Sequence, residues 1–482
     1  MTNVGEDILI RCVSRTTIML ARFRKDEAGG MAIFSMFIIV LMLIVAGMAV
    51  DFMRFESRRT IMQGAVDRAV LAAADLDQVR TPTEVVNDYV SKSQGGNCLS
   101  GEPEIVESAN FRSVTANCEL EMNTYFLKLL GIEEMTAVAS ATAVEGVGNV
   151  EVSLVLDISG SMSDSVPSLG KTKMDVLEEA GIAFVDTLLQ PEFEGRISVS
   201  LVPYTAHVNA GPELFDALGV ERKHGFSNCV VIPASDFSNV TMNVASGYTQ
   251  GQHFKTSSGN THSCPVEEFE EIIPISQDAG ALRTAISQFE PRSTTSIFLG
   301  LKWGAALLDP SFQSIYSSLP SSMKDSDFVG RPEAYGVNDN PSDTKKYIVV
   351  MTDGKNVGTR ALYDWAYETP SMVAHWASGK NPYDMYRQEF NWNASRYWAY
   401  YGQYLYTTGE GNTLMSNICT AAKDKGVIIY AIAMGEGSSI DSSAMSSCAS
   451  SPGSHYFETS GDELVAIFEA IADQITDLRL TL

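Results

Sequence analysis

This sequence is short of positive charge. Across 482 residues, 34 lysines and arginines stand against 59 aspartates and glutamates, a formal net charge of −25. That excess of negative charge repels a phosphate backbone and argues strongly against a nucleic-acid partner. It argues against broad docking on an anionic membrane surface for the same reason. Histidine is scarce, with 6 copies. His224, His253 and His262, even counted with Cys229 and Cys264, follow no tight zinc spacing, and His207, His375 and His455 read as surface or packed residues. No long polar tract suggests wholesale disorder. The length calls for two or three domains.

Cysteine is also sparse, with 7 copies, but its placement carries information. Cys12 stands alone near the N-terminus, and the others fall in neighbouring pairs Cys98/Cys118, Cys229/Cys264 and Cys419/Cys448. Neighbour pairing as disulfides in an oxidising compartment is the expectation, with free buried thiols as the alternative.

What the sequence does contain, first, is one long apolar run at residues 31–50. At about 20 residues it can cross a bilayer as a helix. It is too long for an ordinary signal-peptide core, although Gly47-Met48-Ala49 offers a weak cleavage-like site. Arg11, Arg15, Arg22, Arg24 and Lys25 precede it and favour a cytoplasmic N-terminus. Arg54, Arg58 and Arg59 follow it, so the asymmetry is imperfect. The expected order is a cytoplasmic tail at 1–28, a transmembrane helix at 29–50 and an amphipathic stalk helix at 51–80. Phe52, Phe55, Met62, Val66, Val70 and Ala73 mark one face of that stalk. The face either packs on the next segment or joins like helices into a homo-oligomer.

Residues 81–148 read as a small α+β or mostly β module. A short helix at 83–91 and strands near 105–106, 114–120 and 136–144 are punctuated by Gly95-Gly96 and Gly101. From 149 to 482 strands alternate with helices. Buried strands are expected at 150–156, 196–204, 347–352 and 427–434, with helices at 174–189, 279–289 and 461–478. This predicts an α/β domain built on a doubly wound, mostly parallel sheet. Two insertions interrupt it, at about 209–275 and 355–410. The second holds Trp365, Trp376, Trp392, Trp398 and nine tyrosines. These rings either form a small core or present a binding surface.

Polar chemistry concentrates where strands end. The run 152–156 leads into Asp157-Ile158-Ser159-Gly160-Ser161, and 348–351 leads into Asp353-Gly354. Both loops fall at the carboxyl edge of the sheet, where open α/β folds bind ligands. Alternate spacing turns Asp157, Ser159 and Ser161 to one centre. Two carboxylates with neutral hydroxyls suit a hard cation such as Mg²⁺ (or Mn²⁺) and leave it electropositive. An Asp or Glu from a protein partner could complete the shell.

These loops resemble the von Willebrand factor type A domain and its metal-ion-dependent adhesion site. The Asp-x-Ser-x-Ser pattern matches Asp157, Ser159 and Ser161, and Thr352-Asp353-Gly354 matches the later Thr-Asp-Gly. The intervening threonine is matched by Thr295, with Thr294 beside it. The resemblance implies a metal held by Asp157, Ser159, Ser161, Thr295 and Asp353, and a closing helix that shifts when a partner binds. Asp26-Glu-Ala-Gly-Gly-Met-Ala-Ile-Phe, Ala49-Val-Asp51-Phe, Phe126-Leu-Lys-Leu-Leu-Gly-Ile132 and Gly300-Leu-Lys-Trp-Gly304 resemble TadG-like proteins of the Flp, or tight-adherence, pilus system. That implies a single-pass protein of a bacterial inner membrane with a periplasmic C-terminal domain, whose partners are pilus subunits or assembly components.

Two other functions fit parts of the sequence. In a structural anchor, the metal would only stabilise the fold. A P-loop-like NTPase would use Ser165-Val-Pro-Ser-Leu-Gly-Lys171-Thr172, but Ser165 replaces the first glycine and its Cβ would crowd the phosphate. Ser168/Lys171 and Ser321/Lys324 match Ser-x-x-Lys without a supporting constellation. The chain reads as a binding protein, not an enzyme.

Overall fold

The computed structural model describes residues 28–477 apart from 76, 77, 79, 94, 95, 97, 109, 110, 147, 257–260, 337–343, 391–395 and 436. The basic tail with Cys12, and Gly95, Trp392 and Leu478, lie outside the described residues. Two compact units divide the chain, Met1–Gly146 and Val147–Leu482.

In the first unit, α1 (Ala28–Ala74) is one helix of 47 residues. Its first half exposes apolar side chains all round, Met31, Phe34, Phe37 and Leu41 among them. Among the described residues, Gly30–Ala74 is the one helix long and apolar enough to cross a membrane. Past Asp51 the helix becomes one-sided. Met62, Val66, Ala69, Val70 and Ala73 are buried. They pack with α2 (Pro82–Lys92) and with β1 (Glu104–Ser108), β2 (Phe111–Asn123) and β3 (Glu134–Gly146). The three strands form an antiparallel sheet in chain order. The apolar stripe of the stalk is thus covered within its own unit. Cys98–Cys118 ties the approach to β1 onto β2.

The second unit runs β4 (Val150–Asp157), α3 (Lys173–Leu188), β5 (Ile197–Tyr204), β6 (Ile273–Ser276), α4 (Ala279–Ile286), α5 (Ile297–Ala306), β7 (Lys345–Thr352), α6 (Thr408–Asp424), β8 (Ile428–Met434), α7 (Ser442–Cys448), β9 (Tyr456–Thr459) and α8 (Leu464–Asp477). The sheet order is β6-β5-β4-β7-β8-β9, and β6 is its antiparallel member. Every residue of β4 and β5 is buried, which is why they read as unbroken apolar runs. Val155, Val202, Val350 and Ala431 point to a core completed by α5 and α6. Leu154, Leu201, Val349 and Ile432 face the opposite core with α3, α4 and α8. The α/β doubly wound sheet expected from the sequence is therefore the architecture found. The chain winds outward from β4 to β6 and returns to β7 on the other side, so a crevice opens at the carboxyl ends of β4 and β7.

Helix α5 explains the Gly300-Leu-Lys-Trp-Gly304 run. It is buried on every side. A Cβ at Gly300 would come 2.7 Å from Tyr204 and 2.8 Å from Val155, and one at Gly304 would come 2.7 Å from Val155. Four residues apart, the two glycines share a face and let the helix backbone lie directly on β4 and β5. Ser153 Oγ donates to the Gly304 carbonyl at 2.7 Å and fixes the contact.

The insertions pack together. Cys229–Cys264 closes the first, and Cys419–Cys448 joins α6 to α7, so the pairs are the sequence neighbours. In the second, Trp376 and Tyr401 bury with Leu362 and Ala366 around Phe254 of the first. Trp365 and Tyr404 stay 50% exposed. The aromatic residues therefore make a small core and also leave an exposed rim.

Candidate functional site

Strand β4 ends on Asp157 and β7 ends on Thr352, one residue before Asp353. Adjacent parallel strands in register bring both carboxylates to the same edge. Asp157, Ser159, Thr295 and Asp353 are all buried, and Ser161 is half-buried at the mouth.

The hydroxyls form a continuous chain between them. Thr295 Oγ1 donates to Ser159 Oγ at 2.9 Å, Ser159 Oγ lies 3.2 Å from Ser161 Oγ, and Ser161 Oγ donates to Asp353 Oδ1 at 2.6 Å. Asp157 stands behind this chain. Its Oδ1 accepts the Ser159 backbone N–H at 2.8 Å and its Oδ2 accepts the Thr352 hydroxyl at 2.7 Å. Burial, and then the negative charge of Asp353, raise the Asp157 carboxyl well above the usual carboxylate range.

Backbone bonds lace the three loops together. The Gly160 N–H donates to the Ser293 carbonyl at 3.1 Å, Arg292 N–H to Ile158 at 3.0 Å, and Val357 N–H to Thr295 at 2.8 Å. Asn356 Oδ1 accepts the Ile297 N–H at 2.8 Å, at the start of α5. Ser293 reaches this position with φ at 65°, a left-handed conformation unusual for a residue with a side chain. A Cβ at Gly160 would come 3.0 Å from the Ser293 carbonyl, so the glycine of the serine loop allows the close approach.

All five residues singled out in the sequence are brought together. Thr295 is the threonine whose hydroxyl reaches Ser159, whereas Thr294 is exposed. The rival readings find other surroundings. Gly170 takes a positive φ in a hairpin turn, and Lys171 pairs with Glu179 at 2.5 Å. Cys229 and Cys264 are joined to each other and are lost as zinc ligands. Among the described residues, no group of three or more His, Cys, Asp or Glu is placed to hold a metal. A cation at Asp157 would therefore depend on hydroxyls as much as on carboxylates.

Thr352 was read as part of the motif without a role of its own, and Lys173 went unrecognised in the sequence. Thr352 orients Asp157, as described above. Lys173, at the first position of α3, donates from Nζ to Asp353 Oδ2 at 2.7 Å and lies 3.7 Å from Asp164. A lysine in the first turn sits at the unfavourable end of the helix dipole. That misplacement was the available signal for a carboxylate partner. With Lys173 on one Asp353 oxygen and Ser161 on the other, the carboxylate is fixed in orientation.

Residues 29–76 match the family model described as putative Flp pilus-assembly TadE/G-like. No curated protein matches the chain. Among solved structures, the SpaC pilus adhesin of Lactobacillus rhamnosus GG is similar at 15% identity and a TM-score of 0.33, over 77% of this chain and 34% of that one. The chain thus spans about a third of that adhesin's length. The von Willebrand factor domain of Mfa5, a type V pili tip protein of Porphyromonas gingivalis, is similar at 14% identity and a TM-score of 0.34, over 69% and 96% of the two chains. Proximal thread matrix protein 1 of the mussel byssus, with a zinc-occupied MIDAS motif, is similar at 13% identity and a TM-score of 0.29, over 68% and 46%. This chain thus carries a TadE/G-like segment at residues 29–76, followed by an α/β unit built on a doubly wound, mostly parallel sheet.

Proposed function

We propose that the chain is a membrane-anchored component of pilus assembly or adhesion that binds a protein partner through a divalent cation. The observation that carries this reading is the unbroken run of oxygens from Thr295 through Ser159 and Ser161 to Asp353, backed by Asp157, at the carboxyl ends of β4 and β7. An all-oxygen donor set suits Mg²⁺ (or Mn²⁺). Bound there, such an ion would supply a positive centre for a carboxylate from an Asp or Glu of a pilus subunit or assembly component. The chain's own residues orient the hydroxyls, exclude bulk water and hold the carboxylates in place.

The backbone lacing favours recognition over a purely structural metal, because the loops are already held by Gly160, Arg292 and Val357 N–H groups. The same donors carry no catalytic assignment, and we read the protein as a binding module. Helix α1 and three disulfides that all lie after it support a membrane-anchored placement. This fits an inner-membrane anchor with a cytoplasmic N-terminus and a periplasmic, oxidising C-terminal side.

An envelope pull-down with the full chain tests the reading. Partner capture in Mg²⁺ is expected to disappear in EDTA and in Asp157→Asn, with the variant's unfolding temperature in EDTA no lower than that of wild type. Retained capture with lost stability would instead favour the structural anchor.

Lys173 makes a second expectation. Its ammonium lies against a site that would take a cation and repels it. Lys173→Met is expected to tighten Mn²⁺ binding by about tenfold, read by calorimetric titration. Unchanged or weaker binding would contradict the electrostatic role.

A further inference from the structure

The loop that joins β2 to β3 is apolar and exposed at the point where α1 stops being apolar. Leu129 and Leu130 are 68% and 57% exposed, and Tyr125, Phe126 and Ile132 also present much of their surface. Solvent-exposed loops do not ordinarily gather such residues. Within the unit, the loop docks on the helix first at Gly47. The Phe126 ring occupies the space that a side chain at Gly47 would fill. That contact lies about one helical turn before Asp51, within the last turn of the apolar run.

Asp51 clamps the loop from above. It is 2% exposed, and its carboxylate accepts the backbone N–H groups of Tyr125, Phe126 and Leu127, the last two at 2.7 and 2.9 Å. The rest of the loop closes on itself. Gly131, at φ 87°, donates to the Lys128 carbonyl at 3.1 Å, and Ile132 N–H donates to Leu127 at 3.2 Å. Thr124 N–H donates to the Glu133 carbonyl at 2.9 Å. With these backbone N–H groups paired within the unit and its apolar side chains turned outward, the loop suits a lipid environment. The Arg54 guanidinium stacks 4.1 Å over the Tyr125 ring, a pairing suited to the headgroup layer.

We propose that residues 125–132 insert into the headgroup–acyl boundary of the same bilayer that α1 crosses, as a second membrane contact fixing the angle at which the first unit leaves the membrane. The occupant of this surface is lipid, because its apolar residues continue the exposed apolar face of α1 across the Gly47–Phe126 contact. The inference rests on reading α1 as membrane-spanning.

The test uses the full chain in a Cys12→Ser background, reconstituted into phosphatidylcholine–phosphatidylglycerol vesicles. Spin labels are placed at Leu129→Cys and Leu130→Cys, at Leu43→Cys within the apolar run and at Val144→Cys near the far end of β3. Accessibility to dissolved oxygen is compared with accessibility to a water-soluble nickel chelate. The expected result is a Leu129 and Leu130 ratio several times that of Val144 and below that of Leu43. Asp51→Ala should move the loop ratio toward that of Val144 while leaving Leu43 unchanged. If Leu129 and Leu130 match Val144 while Leu43 is lipid-embedded, the insertion is overturned and the anchor stands. If Leu43 also matches Val144, the membrane reading falls and the insertion with it.

Discussion

Adding Mg²⁺ is expected to raise the unfolding temperature of the wild-type chain and to leave that of Asp157→Asn where it was. An ion present at about 100 times its dissociation constant stabilises the folded state by roughly 2.7 kcal/mol. For a unit of this size that amounts to roughly 5 °C. Asparagine keeps the shape of the side chain: its oxygen can still accept from the Ser159 N–H, and its amide can donate to the Thr352 hydroxyl. What it removes is one of two neighbouring buried negative charges. In EDTA the variant should therefore unfold no lower than wild type, since burial and Asp353 already oppose the charged form of Asp157. Parallel scans with and without the ion check both halves. An equal shift in the two proteins would place the ion somewhere other than at Asp157.

The second large effect lies on the far side of α5. Lys302 is fully buried, and its Nζ donates to the carbonyls of Asp236, Asn239 and Thr241 at 2.7, 2.9 and 2.7 Å. The Asp236 carboxylate lies 3.4 Å away and also accepts the Tyr248 hydroxyl. Burial pulls the ammonium down to about 8 while Asp236 holds it up, so it remains protonated at neutral pH. One side chain thus gathers residues 236–241 of the first insertion onto the helix that begins just after Thr295. Lys302→Met keeps nearly the same volume but leaves those acceptors and the carboxylate without their donor. Breaking a buried charged network from one side costs about 3–5 kcal/mol, or roughly 5–10 °C in unfolding temperature. Thermal melts followed by circular dichroism check it. A change below about 1 kcal/mol would mean that water replaces the ammonium without loss.

The strands that proved readable from sequence were those buried on both faces. β4, β5, β7 and β8 are continuous apolar runs, and no other element could be made of them at that length. β6 was missed because it is four residues long, contains Pro274 and lies antiparallel at the edge. β9 is equally short. α5 was seen as a motif and not as a helix, because burial on every side removes the 3.6-residue periodicity. α6 announces itself with a capping box at Thr407 and Glu410, a signal hidden by its position at the end of the aromatic insertion.

The candidate site divides in the same way. Asp157, Ser159 and Ser161 are local, so spacing alone points them at one centre. Thr295 could be separated from Thr294 only through its contact with Ser159, 136 residues away. The misplaced Lys173 could signal a carboxylate partner but not which one, since Asp353 lies 180 residues on. The loop between β2 and β3 was visible as a motif, but its exposure and its clamp by Asp51 depend on contacts across 74–76 residues.

The most direct test of the account is a Mn²⁺ titration of the full chain in detergent, with free ion followed by electron paramagnetic resonance. The account predicts one tightly bound ion per wild-type chain, with affinity lowered at least a hundredfold in Asp157→Asn. A wild-type chain that leaves all the Mn²⁺ free, or an Asp157→Asn chain that binds it equally well, would contradict it.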